Sequence, residues 1–333
     1  MKQAPEKGPG DNSRLMLAVV ISIGILMSFH FFYEKPRMEK ALREKEAAAK
    51  LAAPATAPAV AATEERTPKS RAEAIARSKR IPIEGEKVKG SISLMGARID
   101  DLFLQNHYTD VDKKEPVALL SPSGAADAYY VESGWASTNE GVRVPDSKTL
   151  WQLAPGSAGA LKAGGGIALQ WDNGQGLLFA RKIELDENYM FTVTQTVTNR
   201  GVGDQALSPW HLISRHSLPH DFKGFFILHE GPLTYLNGKL EESQYKDLAK
   251  GETFSHENAE GWVGITDKYW FVGILPPAQE KFSARVIAGN KNGGVTYQTD
   301  VTGSTQTIKP GQTVEDKKFI FAGVKNIHLM EVY

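Results

Sequence analysis

The sequence predicts a mainly β protein: an N-terminal transmembrane helix, a flexible tether, then a large antiparallel β-sandwich. Three observations carry this. Residues 15–33 run without an acid, Lys or Arg; residues 47–62 hold ten alanines in sixteen positions; and from about Lys87 apolar residues recur at period two between Gly, Pro, Asn and Asp.

The first element is LMLAVVISIGILMSFHFFY, bounded by Leu15 and Tyr33. Nineteen residues at about 1.5 Å each span roughly 28 Å, close to the hydrocarbon thickness of a bilayer. A buried core helix would show polar residues at a helical period, and none recur. A cleaved signal peptide would have a shorter apolar region and a small-residue cleavage site. Here the run ends in Phe29, Phe31, Phe32 and Tyr33, which suit the membrane interface. Residues 1–14 precede this anchor. Basic groups are more numerous after it than before it, but long domains translocate largely regardless of charge, so charge counting leaves the topology open.

Residues 34–85 read as the tether. They carry twelve basic and eight acidic groups; PRMEKALREKEAAAKLAA (36–53) is rich in helix formers, and Pro54 and Pro58 interrupt the alanines that follow. The basic run 66–80 is either solvated or near anionic headgroups. Residues 86–323 read as the sandwich, and 324–333 as the start of a further amphipathic segment. The whole chain balances 39 basic against 39 acidic groups, so 86–333 is mildly acidic, which argues against nucleic acid as a partner. Cysteine is absent, excluding disulfides, thiolate metal sites and thiol nucleophiles.

Within the sandwich, Phe191, Val193 and Val197 alternate with Thr192, Thr194 and Thr196, the pattern of a half-buried strand. IALQWDNGQGLLFARKIEL (167–185) places Asn173-Gly174 between two apolar runs, a strong hairpin signal. Further strand-like runs are 91–99, 101–107, 128–133, 225–230, 282–288, 293–299 and 317–323, and 241–251 supplies one short helix. GWVGITDKYWFVGILP (261–276) reads as a buried hairpin, strands Trp262–Ile265 and Tyr269–Leu275 flanking a polar gap at Thr266-Asp267-Lys268. On that reading Asp267 and Lys268 catalyse nothing, and replacing them with Asn and Gly leaves the domain folded.

Candidate chemistry is sparse. His211, His216 and His220 with Asp221 match no familiar zinc spacing, and His229 stands beside Glu230. Asp172 with Glu184, or Asp221 with Glu230, are the nearest carboxylate pairs. The glycines of KAGGGIALQ (162–170) lack the lysine and helix of a phosphate loop, and no serine lies in a G-x-S-x-G elbow. No catalytic, metal or cofactor site is expected.

The order of several long motifs does point to a family. RIPIEGEKVKGSISLMGARIDDLFLQNH (80–107), LLSPSG (119–124), WDNGQGL (171–177), YMFTVTQTVTN (189–199), ILHEGP (227–232) and GWVGITDKYW (261–270) follow an anchor and an Ala/Pro tether. Together they closely resemble the N-terminal half of the YidC membrane protein insertases, of alphaproteobacterial type. The resemblance implies an uncleaved anchor with a cytoplasmic N-terminus in the bacterial inner membrane. It also implies a periplasmic β-super-sandwich similar to galactose-mutarotase-like domains. It makes Trp171, Asn173, Gly174, Gly261, Trp262, Asp267, Lys268, Tyr269 and Trp270 structural motif residues. In the family, insertion itself belongs to five further membrane helices with a hydrophilic groove, absent here, so this chain is expected to be a fragment or a truncated product. Its implied roles are anchoring in the lipid bilayer and docking to the Sec translocon and its accessory subunits, nascent membrane proteins being met by the full-length protein. A tethered sugar-binding or mutarotase-like domain is the competing reading, and a purely structural tethered domain the third.

Overall fold

A computed structural model describes residues 57–58, 70–109, 111–139, 141–219, 222, 228–291 and 294–325. The expected anchor Leu15–Tyr33 lies outside them, as do His220, Asp221 and 326–333; among the described residues no helix is long and apolar enough to cross a membrane.

The folded part starts upstream of the sandwich limit read from sequence. Helix α1 (Arg71–Ile75) opens with a capping box, in which the Ser70 hydroxyl accepts from the Glu73 amide and the Glu73 carboxylate accepts from the Ser70 amide. The first ten strands are β1 (Arg80–Glu84), β2 (Val88–Ser93), β3 (Arg98–Tyr108), β4 (Pro116–Leu120), β5 (Tyr129–Ser137), β6 (Gln152–Leu153), β7 (Leu161–Lys162), β8 (Gly165–Asp172), β9 (Leu177–Leu185) and β10 (Met190–Asn199). After β11 (Gln205–Arg215), β12 (Gly231–Leu236) and β13 (Lys239–Glu242) comes the single turn α2 (Tyr245–Leu248). The chain finishes with β14 (Phe254–Ala259), β15 (Gly261–Thr266), β16 (Trp270–Leu275), β17 (Phe282–Lys291), β18 (Gly294–Gly303), β19 (Gln306–Ile308) and β20 (Thr313–Val324).

These strands form two sheets. The larger runs β14-β17-β18-β11-β5-β3-β2-β1-β7, with β19 on β11 and β4 on β3; the smaller runs β13-β12-β15-β16-β20-β10-β9-β8-β6. Pairing is antiparallel except between β1 and β7. One apolar cluster holds inward residues of both sheets, among them Val131 and Ile213 from the larger and Phe179, Phe191 and Ile320 from the smaller. Period-two alternation produces it: β9 buries Leu177, Phe179, Arg181, Ile183 and Leu185, and leaves Leu178, Ala180 and Glu184 partly exposed and Lys182 exposed. The predicted antiparallel sandwich is therefore what forms.

Two stretches differ from the sequence reading. Residues 91–99 are not one strand: β2 ends at Ser93 and β3 starts at Arg98, because Gly96 (φ 73°) and Ala97 (φ 50°) take left-handed backbone between them. Residues 228–230 are not in a strand, the next one starting at Gly231, and 225–227 fall outside the described residues.

Candidate functional site

The β15–β16 hairpin closes when the Asp267 amide donates to the Trp270 carbonyl (2.9 Å), so its tip is Lys268-Tyr269, one residue later than read. Asp267 is more than a turn residue. Its Oδ1 accepts from Arg215 Nη1 at 2.6 Å, and that guanidinium lies 4.6 Å from the centre of the Tyr129 ring. Burial opposes the charge on Arg215, but the Asp267 carboxylate together with the neighbouring Tyr245 and Tyr129 outweighs it and raises the Arg215 pKa. The Lys268 amide donates to Glu230 Oε1 (3.2 Å), Tyr269 is exposed, and Trp270 meets His107 edge-on at 5.5 Å. Trp262 stacks on Tyr235 (6.1 Å), and Gly261 crosses β12 so closely that a Cβ would stand 1.9 Å from the Tyr235 carbonyl oxygen.

The β8–β9 connection contains Asn173-Gly174 as expected, but as a four-residue loop. Asn173 is buried; its Oδ1 accepts from the amides of Gln175 (2.7 Å) and Leu177 (2.9 Å), and its Nδ2 donates to the Arg143 carbonyl (2.9 Å). Trp171 tilts against Phe179 at 5.6 Å. Along this hairpin Asp172 pairs with Leu178 and Glu184 with Gly166, so the two carboxylates stand six residues apart, about 20 Å. They form no pair.

The histidines do not assemble either. His216 leans on the Tyr130 ring (5.7 Å), and His229 Nε2 lies 3.0 Å from the Pro232 carbonyl, with Glu242 4.0 Å from its Nδ1. Among the described residues no three His, Asp or Glu gather as metal ligands. His211 instead enters a network between the sheets that the sequence reading missed. Its Nε2 is 2.7 Å from Asp316 Oδ2 and its Nδ1 2.8 Å from Ser133 Oγ. Lys318 Nζ donates to Asp316 Oδ1 and reaches Glu280 at 2.8 Å.

Gln195 Nε2 also lies 3.2 Å from His211 Nε2 and donates to the Gly134 carbonyl (3.3 Å), leaving His211 Nε2 to Asp316. A carboxylate held by Lys318 requires Nε2–H to donate to Asp316, which leaves Nδ1 to accept from the Ser133 hydroxyl. Burial lowers the His211 pKa against the pull of Asp316. His211 and Lys318 in turn hold the Asp316 carboxyl below its ordinary range, against the push of burial.

Ser, His and Asp in contact evoke hydrolase chemistry, but His211 is 1% exposed and Ser133 7%. A nucleophile must be reached, and this one is sealed between two sheets. Beside it Arg181 donates to the carbonyls of Ala97 (2.9 Å), Gly96 (3.3 Å) and Ser133, and to Gln195 Oε1 (3.1 Å). The network fastens the sheets together. The alternation carried its signal: Arg181, Gln195, Asp316 and Lys318 all fall at inward positions, and Arg181, Gln195 and Asp316 are neighbours in register.

The outer face of the larger sheet is polar as well. Leu212 pairs in register with Glu132 on one side and Asp300 on the other, and Asp300 with Arg285. Glu132 Oε2 accepts from Arg98 Nε (2.7 Å), and Asp300 from Arg285 (3.1 Å). Burial pushes the Asp300 carboxyl up against the pull of Arg285. Both acids are thus ion-paired, and His211 lies on the opposite face of the sheet. A separate cleft of about 460 Å³ is bordered by Glu241, Glu242, Asp247 and Glu252.

The fold thus defines a large two-sheet antiparallel β-sandwich domain in which the buried acids Glu132, Asp300 and Asp316 are ion-paired. Residues 80–333 match the family model of the YidC periplasmic domain, and the chain belongs to that family. It is 40% identical over 332 residues to a membrane protein insertase YidC from Nitrobacter hamburgensis, covering 95% of this chain and 52% of that protein. The corresponding protein of Bradyrhizobium diazoefficiens is 38% identical, over 95% of this chain and 54% of its own. The chain spans about half the length of the curated relatives it matches. Among solved structures, a putative aldose 1-epimerase from Escherichia coli K12 is 10% identical with a TM-score of 0.46, covering 73% of this chain and 98% of that one. A galactose mutarotase-like protein from Lactobacillus casei is 12% identical, also at 0.46, covering 73% of this chain and all of its own.

Proposed function

We propose that this chain supplies the anchor and extracytoplasmic docking module of a membrane protein insertase. The observation that supports it most is the family match over residues 80–333, with relatives bearing the insertase name along 95% of the chain. Leu15–Tyr33 crosses the bacterial inner membrane with residues 1–14 in the cytoplasm, 34–69 tethers the sandwich, and the sandwich stands in the periplasm. Its work is non-enzymatic: it meets partners of the Sec translocon, while insertion of nascent membrane proteins is carried out by the membrane region of the full-length protein. There a polar groove lowers the cost of bringing hydrophilic segments into the bilayer.

The test is co-purification from membranes. The affinity-tagged chain should bring down Sec accessory subunits, and a tagged control of residues 1–69 should not. Equal recovery with both, or with neither, would sink the docking role. Alone in proteoliposomes, the chain should insert a single-span substrate no faster than empty vesicles.

A further inference from the structure

Ala57 and Pro58 belong to the Ala/Pro stretch that composition assigns to a featureless tether, yet they sit on the outer face of the larger sheet. Ala57 is 2% exposed and packs with Ala128, Tyr130, Trp210 and Leu212, a cluster separate from the main core. The Trp210 ring lies against Gly134, where a Cβ would stand 2.5 Å from it, so the missing side chain makes room for the pocket.

Three hydrogen bonds hold the backbone of this dipeptide. The Ala57 amide donates to Thr302 Oγ1 (3.2 Å), the Ala57 carbonyl accepts from Arg285 Nη2 (2.8 Å), and the Pro58 carbonyl accepts from Gln298 Nε2 (3.0 Å). Both cationic and amide donors are aimed by one buried carboxylate: Asp300 Oδ2 accepts from Arg285 Nε and Nη2 (3.1 Å each) and from Gln298 Nε2 (2.7 Å). Asp300 is 1% exposed, so these donors are positioned by the protein and not by solvent.

We propose that this face is a binding site for an extended small-residue–proline segment, occupied in this chain by its own tether. The chemistry fits that ligand class closely. Proline at the second position has no amide to leave unsatisfied, and it biases the residue before it toward extended backbone, reducing the entropy lost on docking. A close-packed pocket that covers a methyl group excludes a larger side chain without repacking. Backbone groups supply all three hydrogen bonds, so sequence is read only through the size of the first residue and the ring of the second. The inference does not depend on the insertase reading.

Amide exchange at Ala57 in the whole chain, held in detergent and followed by NMR, tests it. In the native chain Ala57 should exchange at least about 100-fold more slowly than in a free peptide of the same sequence. Ala57→Ser should keep that protection within about threefold, whereas Ala57→Phe and Thr302→Val should each abolish it. The amides of β18 should stay protected in every variant, which separates undocking from unfolding. Exchange at Ala57 near the free-peptide rate in the native chain overturns the proposal, as does protection that survives in Ala57→Phe.

Discussion

Arg215, at the end of β11, and Asp267, before the tip of the β15–β16 hairpin, meet at 2.6 Å and so join the two sheets through one ion pair. Their side chains are 9% and 14% exposed, which puts the pair close to the buried limit. Removing one partner of such a pair leaves an uncompensated charge, at a cost of about 3 kcal/mol. Asp267→Asn should therefore lower stability by roughly that amount, while Lys268→Ala should cost under about 0.5 kcal/mol. Urea midpoints of the two variants read the difference. Equal midpoints would return Asp267 to the role of an ordinary turn residue.

A second prediction concerns acid. Burial holds the His211 pKa below its ordinary 6.5 in the folded chain. As pH falls through that value the unfolded chain takes up a proton that the folded chain refuses, so stability falls with pH. The full contribution is present above about pH 6.5 and is lost progressively below it. Asp316, held under its ordinary 3.8, adds a further loss at still lower pH. Asp100 and Asp300 have raised pKa values and act in the opposite sense as pH falls toward 4, so the effect is best isolated as a difference. Between pH 7 and 5.5, His211→Gln should flatten the stability slope by up to about 1.4 kcal/mol per pH unit, one proton's worth. An unchanged slope would show that His211 is not the group responsible.

The strands themselves were legible because alternation survives in single segments: Phe191, Val193 and Val197 announce β10 without help from the rest of the chain. The same pattern hid the network. Gln195 lies in phase with those apolar residues, yet a polar residue in a strand reads as a surface position until its partners are known. Those partners, Arg181, His211 and Asp316, come from three other strands, and Ser133 from a fourth. Pairings at separations of 78 and 105 residues have no local signature. Ala57 was hidden differently: its composition argues for a linker, and only the pocket of Ala128, Tyr130, Trp210 and Leu212 gives it a place.

Gly261 opens the motif GWVGITDKYW for a steric reason. Its φ is 127°, and an added Cβ would stand 1.9 Å from the Tyr235 carbonyl oxygen on the paired strand. Gly261→Ala must push β12 and β15 apart, at a cost of more than about 2 kcal/mol. Gly174 offers the contrast: its φ is 70°, but a Cβ there meets open space. Gly174→Ala should cost only the left-handed penalty, about 1 kcal/mol. Thermal melts of the two variants should rank Gly261→Ala well below Gly174→Ala, and the reverse order would contradict the close approach.

Arg181 sets two large effects against each other. Burial lowers its pKa to about 10, so the site disfavours the charge, and an apolar replacement would remove that penalty. Against this stand the acceptors it satisfies: the carbonyls of Gly96, Ala97 and Ser133, and Gln195 Oε1. Each buried acceptor left without a donor costs about 1–3 kcal/mol. Gly96 and Ala97 also turn the β2–β3 connection through left-handed backbone, so losing Arg181 frees the carbonyl side of a bend otherwise held by the Gly96 amide on the Thr149 carbonyl (2.8 Å). The acceptors should win. Arg181→Met is expected to destabilise by at least about 3 kcal/mol, with Arg181→Lys intermediate because one ammonium offers only three donors. Hydrogen exchange should show the amides of 94–97 losing protection before those of β9. A methionine variant as stable as the native chain would mean that relief from the buried charge outweighs four hydrogen bonds.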